Sequence, residues 1–385
     1  MRLTILAAAI ASLSTVLATP AAAQDVKLPS SLTMTAYDTG SAGFSMVVAI
    51  GKMLKDKYNV DLRALPAGND IARLAPLKAG RAQVSAMGVG GFFAMEGVYE
   101  FASREWGPQK LQVLLAATSC PGAALGVAKD TGVKEYKDLR GKRVGMVIGS
   151  PALNQNALAL LAFGGLTKDD VTIVQFSSYG AMWRGMLNNE VDAANTLTVS
   201  GQARELDASP RGIVFPPAPA ADKEGWARLT AVGPYFSPHV ATCGAGGLSA
   251  ANPIELPVYP YPIWMAYATQ PADLIYGITK AMIVGHDAYK DGAPGAEGLA
   301  VKNQNLAWVL PYHAGAVKAL EEAGAWTPAA QAHNEVLLRR QDVLGAAWTA
   351  HTAANPPADA TAFAEGWMAA RKASLVKAGL PVIFD

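Results

Sequence analysis

The stretch 32–54, LTMTAYDTGSAGFSMVVAIGKML, changes its hydrophobic period half way along, and that change decides the fold class. Residues 32–37 alternate apolar and polar side chains, as a half-buried strand does. Thr39-Gly40-Ser41-Ala42-Gly43 is a small-residue loop, after which Phe44, Val47, Val48, Gly51 and Leu54 fall at helical spacing. Working outward, 60–65 predicts a second strand. Asn69 stands as the N-cap of a helix carrying Ile71, Leu74 and Leu77, with a kink expected at Pro76 and a stop at Gly80. Residues 82–87 predict a third strand, ending in Gly88-Val89-Gly90-Gly91.

The same order recurs further on. The stretch 143–161, RVGMVIGSPALNQNALALL, reads as a strand, a Gly149-Ser150-Pro151 turn and a helix. A strand over 171–176 leads through Ser178-Tyr179-Gly180 into a helix with Met182, Met186 and Leu187, and 191–195 closes the set. Equivalent starts lie 110 or 111 residues apart. A constant offset over three elements predicts two α/β lobes of like topology, each built on a parallel sheet by right-handed crossovers. The chain should cross between lobes near 119–122, after a strand over 113–117. The return is placed near Pro257, within a Pro/Gly-rich stretch at 207–262, and 263–268 is then a strand back in the first lobe. The expected division is 24–121 plus 258–385 for lobe 1 and 122–257 for lobe 2. Amphipathic sequence from Asp273 onward and the Ala-rich stretch after Ala314 predict C-terminal helices packed on lobe 1.

Residues 1–23 read as an export signal. Arg2 supplies a positive start, an apolar stretch follows to Leu17, and Ala21-Ala22-Ala23 is a cleavage site. An apolar core of about 15 residues is shorter than the ~20 a spanning helix needs. A mature chain in the periplasm is expected. The remainder is too long for one hydrophobic core and too apolar for disorder, at 51% hydrophobic and 16% charged. A net charge of +1 without a basic tract argues against nucleic acid as a partner. Two cysteines, Cys120 and Cys243, exclude a disulfide scaffold and a Cys-based zinc site. An oxidising compartment could join them. Without a separation to go on, the reading favours two unpaired cysteines.

In doubly wound sheets, ligands bind beyond the carboxyl ends of the strands, where free N–H groups and the helix dipole favour an anion. The candidate ligand-binding residues follow from that rule. In lobe 1 they are Thr39, Gly40, Ser41, Phe44, Asn69, Gly88, Val89 and Gly90; in lobe 2 they are Ser150, Asn154, Tyr179, Asn195 and Thr196. Tyr179 is preferred to Trp183, which suits a core. Arg184 and Arg204 could neutralise a carboxylate, although a solvated helix face is the plainer role. Gly88-Val89-Gly90-Gly91 lacks dinucleotide spacing, and no phosphate loop is present. The histidines at 239, 286, 313, 333 and 351 lack metal-ligand spacing and read as surface or capping residues. No catalytic residue, metal or cofactor is expected, and the chain is read as a binding protein and not an enzyme.

The ordered pieces resemble the TAXI-type receptors of tripartite ATP-independent periplasmic (TRAP) transporters. The resemblance is carried by 39–43 with Gly51, Leu77-Lys78-Ala79-Gly80, 139–145, Gly149-Ser150-Pro151, 188–193, 274–281 and 311–316, across nearly the whole mature chain. It implies a type II periplasmic-binding fold, a small carboxylate ligand and the membrane subunits of a TRAP transporter as partners. Family members commonly carry two tyrosines just inside the first helix, where this chain has Met46 and Val47. That departure implies a wall with fewer hydroxyls and a ligand with a more apolar body. The same scaffold also serves receptors of ATP-driven importers and, less simply, exported enzymes.

Overall fold

The computed structural model describes residues 26–384. The signal read at 1–23 lies outside the described residues. In chain order come β1 (Ser31–Tyr37), α1 (Ala42–Tyr58), β2 (Asp61–Ala67), α2 (Asp70–Lys78), β3 (Val84–Met87), α3 (Gly90–Glu96) and β4 (Leu111–Ala116). The chain continues through β5 (Ala123–Ala128), β6 (Arg143–Val147), α4 (Pro151–Phe163), β7 (Thr172–Phe176), α5 (Tyr179–Leu187), β8 (Ala193–Leu197) and α6 (Gly201–Ala208). Then follow β9 (Ile213–Val214), α7 (Lys223–Val232), β10 (Ser237–Ala241), β11 (Ile254–Val258) and β12 (Ile263–Tyr267). Five helices finish the chain: α8 (Ala272–Val284), α9 (His286–Tyr289), α10 (Ala314–Glu322), α11 (Pro328–Ala353) and α12 (Ala360–Lys377).

The repeat folds as two five-stranded sheets of the same order, β2-β1-β3-β12-β4 and β7-β6-β8-β5-β9. Their first three strands are parallel. The expected all-parallel sheets are in fact mixed, because β12 and β5 run antiparallel to their neighbours. β5 arrives straight from β4 of the other sheet, and β12 from β11 of a separate two-stranded sheet, β10–β11; neither follows a helical crossover, so the direction of each is reversed. Two α/β units exchanging their fourth strand make the type II periplasmic-binding fold.

Local chemistry sets the helix starts. Ser41, Asn69, Ser178 and Ser200 each cap a helix by accepting the N–H three residues on, a contribution of about 1 kcal/mol apiece. The helix containing Pro76 continues only two residues beyond it. One hydrophobic cluster runs from the first sheet through α3 to the inner face of the second sheet and α4. A smaller one around Met182, Trp183, Leu206 and Phe215 fills the other face. The C-terminal helices are fixed to α3 by Glu96, fully buried, which accepts from Arg340 and Arg371.

Several elements have no counterpart in the sequence reading. α3 begins with two glycines and is buried on every side, so it has no amphipathic period. The Pro/Gly-rich stretch at 207–262 holds α7 and the antiparallel β10–β11 pair. Cys120 and Cys243 are joined in a disulfide that closes a loop of 123 residues, which corrects the reading of two unpaired cysteines. Their Cα atoms lie 5.5 Å apart because the β4–β5 crossover and the end of β10 run side by side, and Thr242 N–H bonds to the Cys120 carbonyl.

Candidate functional site

The loops at the carboxyl ends of the two sheets meet along one seam, and the helix N-termini there are already supplied with acceptors. Asp38, just past β1, accepts the Gly180 N–H at the start of α5 (2.8 Å). The Gly68 carbonyl accepts the Tyr179 N–H beside it (2.9 Å), and the Gly40 carbonyl accepts Gly201 N–H at the start of α6 (2.9 Å). In the other direction, the Gly149 carbonyl accepts the N–H groups of Asp70 and Ile71 at the start of α2. Asp70 then accepts the Ala152 N–H (2.8 Å) and the Ser150 hydroxyl (3.3 Å) at the start of α4. Orphan amides take the nearest acceptor. The expectation that the ends of α1, α2, α4 and α5 stand ready for a ligand anion is therefore corrected for three of the four: those of α2, α4 and α5, like that of α6, are met across the seam by the protein's own carboxylates and carbonyls. Burial raises the Asp70 carboxyl above the usual range, with Arg73, the Ala152 amide and Ser150 acting in the opposite direction.

Inside the seam lies a cavity of about 30 Å³. One side is formed by Tyr37, Ser41, Ala42, Tyr259 and Tyr261, the other mainly by Leu153, Asn156, Tyr179, Asn195, Thr196 and Ser200. Among the described residues that line it, none is charged. The Tyr179 hydroxyl pairs with Thr196 Oγ1 (3.0 Å), which pairs in turn with Ser200 Oγ (2.7 Å). Tyr235 donates to Asn156 Oδ1 (2.8 Å), whose amide donates to the Tyr259 hydroxyl (3.3 Å). Asn195 Nδ2 is buried with no partner. Burial raises the phenols of Tyr37, Tyr179 and Tyr261, and pushes Tyr259 up to about 12, so all four present neutral hydroxyls. Two glycines let them in. A Cβ on Gly43 would stand 2.7 Å from the Tyr261 hydroxyl, and one on Gly88 would stand 2.7 Å from that of Tyr37.

The structure brings Ser41, Tyr179, Asn195 and Thr196 together on this cavity, as it does Ala42 at the start of α1. Thr39, Gly40, Asn69 and Ser150 lie on the seam: the Thr39 carbonyl accepts from Gln202, and Asn69 caps α2. Gly88, Val89 and Gly90 are buried behind the wall, against Tyr37, Tyr259 and Asp70. Phe44 and Asn154 are not among the cavity's lining residues. Phe44 packs half-buried on the first core, and Asn154 closes on the Val147 backbone through both its amide atoms. Trp183 is core, and Arg184 and Arg204 are exposed. His313 caps α10. Met46 and Val47 are core residues as well, and the wall does not lack hydroxyls, because four tyrosines from other elements supply them. Tyr259 and Tyr261 sit in a Tyr-Pro repeat read only as a hinge, although two aromatics at a lobe crossover were a usable signal. Asp38, Asp70 and Arg73 were missed altogether. Among the described residues no three His, Cys, Asp or Glu side chains are grouped to hold a metal, and no helix is long and apolar enough to cross a membrane.

Two α/β units that exchange a strand and meet over a small hydroxyl-lined cavity are the arrangement of the type II periplasmic-binding fold. The profile of the NMT1-like family matches residues 34–324, and the chain belongs to that family. Among solved structures, the alkanesulfonate-binding protein SsuA from Xanthomonas axonopodis pv. citri bound to MOPS is similar at 15% identity and a TM-score of 0.43, over 93% of this chain and 96% of that one. The aliphatic sulphonate binding protein SsuA from Escherichia coli is similar at 15% identity and a TM-score of 0.42, over 80% and 82%. A periplasmic binding protein from Brucella ovis with glutathione bound is similar at 12% identity and a TM-score of 0.43, over 68% and 69%. These likenesses are of fold.

Proposed function

We propose that the chain is an exported receptor that closes two lobes, 24–121 with 258–385 and 122–257, around one small carboxylate and delivers it to a TRAP-type membrane transporter without chemical turnover. The observation that carries the ligand class is the unpartnered Asn195 amide on a cavity that also reaches Ala42, at the start of α1, and is lined by no acidic side chain. Donors without acceptors favour a bound acceptor, and the amino end of a helix of 17 residues favours a negative one. Ligand touching both walls stabilises the closed form by its differential affinity for it. A micromolar ligand needs about −8 kcal/mol, within reach of several hydrogen bonds in a dry cleft. The ordered motifs shared with TAXI-type receptors support TRAP delivery and a periplasmic address.

Thermal denaturation with a panel of small organic acids, sugars and amines tests the ligand class. Stabilisation by one or a few acids is expected, confirmed by calorimetry and weakened at least 10-fold in Asn195→Ala. Stabilisation by sugars or amines alone would sink the carboxylate reading. A gene for an importer ATPase beside this one, in place of TRAP membrane subunits, would move the chain to an ATP-driven system with the same cleft.

A further inference from the structure

Arg73 lies on α2 one turn after Asp70, and none of it is exposed. Its guanidinium carbon sits 3.2 Å above the centroid of the Tyr37 ring, and Tyr37 is cavity wall. Nη2 is held by Asp70, while Nε and Nη1 have no hydrogen-bond partner. A buried cation is costly unless it is fully paired, and this one is half paired. Its counter-charge is also divided. The second Asp70 oxygen turns away to the Ala152 N–H and the Ser150 hydroxyl, at the amino end of α4. That helix end carries partial positive charge and takes up part of the carboxylate's field. The guanidinium therefore keeps an uncompensated share of positive charge behind a wall of neutral side chains.

We infer that Arg73 is the positioning residue that sets the charge preference of the cavity, favouring an anion across the Tyr37 ring. The inference rests on the carboxylate reading above and adds the source of the charge. It also couples recognition to closure. When the lobes part, Asp70 loses Ala152 and Ser150 and turns its whole charge on Arg73; when they close, Arg73 is unmasked toward the ligand. The phenols agree in direction: burial raises Tyr37, Tyr259 and Tyr261, and Arg73 opposes that rise at each of them.

The test is the ratio of affinities for an acid and its primary amide, which cancels effects on folding or closure common to both. Pyruvate, 4-methyl-2-oxopentanoate and succinate, each with its amide, are titrated by calorimetry into the full mature chain. The wild type is expected to prefer acid over amide. Arg73→Gln should cut that ratio roughly 10–100-fold with amide affinity little changed, and Arg73→Lys should restore most of it. A folded Arg73→Gln chain that keeps the wild-type ratio overturns the inference and leaves the carboxylate reading standing. A wild type that binds no acid, or binds amides as tightly as acids, overturns both. If Arg73→Gln does not fold, Asp70→Asn decides. Removing the counter-charge should raise the acid-to-amide ratio about 10-fold, and an unchanged or lowered ratio overturns the inference.

Discussion

Two buried ionic clusters, one on α2 and one joining α3 to the C-terminal helices, show how differently the same chemistry can be used. Around Glu96 every charge is satisfied. Its two oxygens take Arg340 Nε (2.5 Å), Arg340 Nη2 (2.8 Å) and Arg371 Nη2. The remaining guanidinium nitrogens reach the carbonyls of Pro381 (2.7 Å), Glu96 (3.1 Å) and Phe384 (2.6 Å). At Asp70–Arg73 the pair is equally buried but unfinished: two arginine nitrogens have no partner, and one carboxylate oxygen depends on residues 80 and 82 positions away in the other lobe. A cluster complete within one lobe holds α11, α12 and the tail in place for good. A cluster completed only by the facing lobe and a ligand responds to both. Incompleteness, more than burial, separates the working pair from the structural one.

The sharpest way to break this comparison is Glu96→Gln, which leaves two buried guanidinium groups short of their anion. A loss of about 3–5 kcal/mol is expected in denaturant unfolding, with ligand affinity preserved in whatever protein folds. A large change in affinity at intact stability would contradict a structural role. Next in size is the Cys120–Cys243 bridge, in contact with neither cluster. Replacing both cysteines with serine should cost about 2–4 kcal/mol and add to Glu96→Gln within ~0.5 kcal/mol, as distant sites do; strong coupling would mean that the bridge and the C-terminal helices unfold together. Asp70→Asn should cost less, about 1–2 kcal/mol, and should show itself in solution scattering as a larger ligand-free radius of gyration, which Glu96→Gln does not produce.

The same variant carries a pH signature. Burial raises the Asp70 carboxyl, so its contribution to stability is complete below the unfolded pKa and fades as pH rises through the higher folded value. Asp70→Asn should therefore recover part of its deficit against the wild type as pH rises above about 4, the ordinary carboxyl value, read as the difference in melting temperature; a gap that widens with rising pH would reverse the assignment. The smallest expected effect is that of Asp38→Asn. It weakens one seam bond, to Gly180, and should cost about 1 kcal/mol or less, visible mainly in the open–closed balance.

The fold was more legible than the site. Strand–loop–helix periods, the caps at Ser41, Asn69 and Ser178 and the constant offset are all local signals, and the two sheets formed where they pointed. Of the proposed ligand residues, Ser41, Tyr179, Asn195 and Thr196 reached the cavity because each stands at a strand end or the helix start that follows, whose place in a doubly wound sheet is set by topology. Phe44 and Asn154 stand one turn further on, where the side chain turns toward the core or back to its own strand.

What the amino-acid order determined by itself was therefore periodic: which segments become strands, which residues open helices, and that the pattern occurs twice. What only the tertiary structure decided was which groups complete one another. Asp38 serves an amide 142 residues away, Cys120 finds a partner 123 residues on, and Tyr259 and Tyr261 bring their hydroxyls to a wall begun by Tyr37 and Ser41. A backbone's local preferences act over a few residues, whereas burial makes every polar group seek a partner wherever the fold has brought one within 3 Å or so, and that search leaves no mark on the neighbouring sequence.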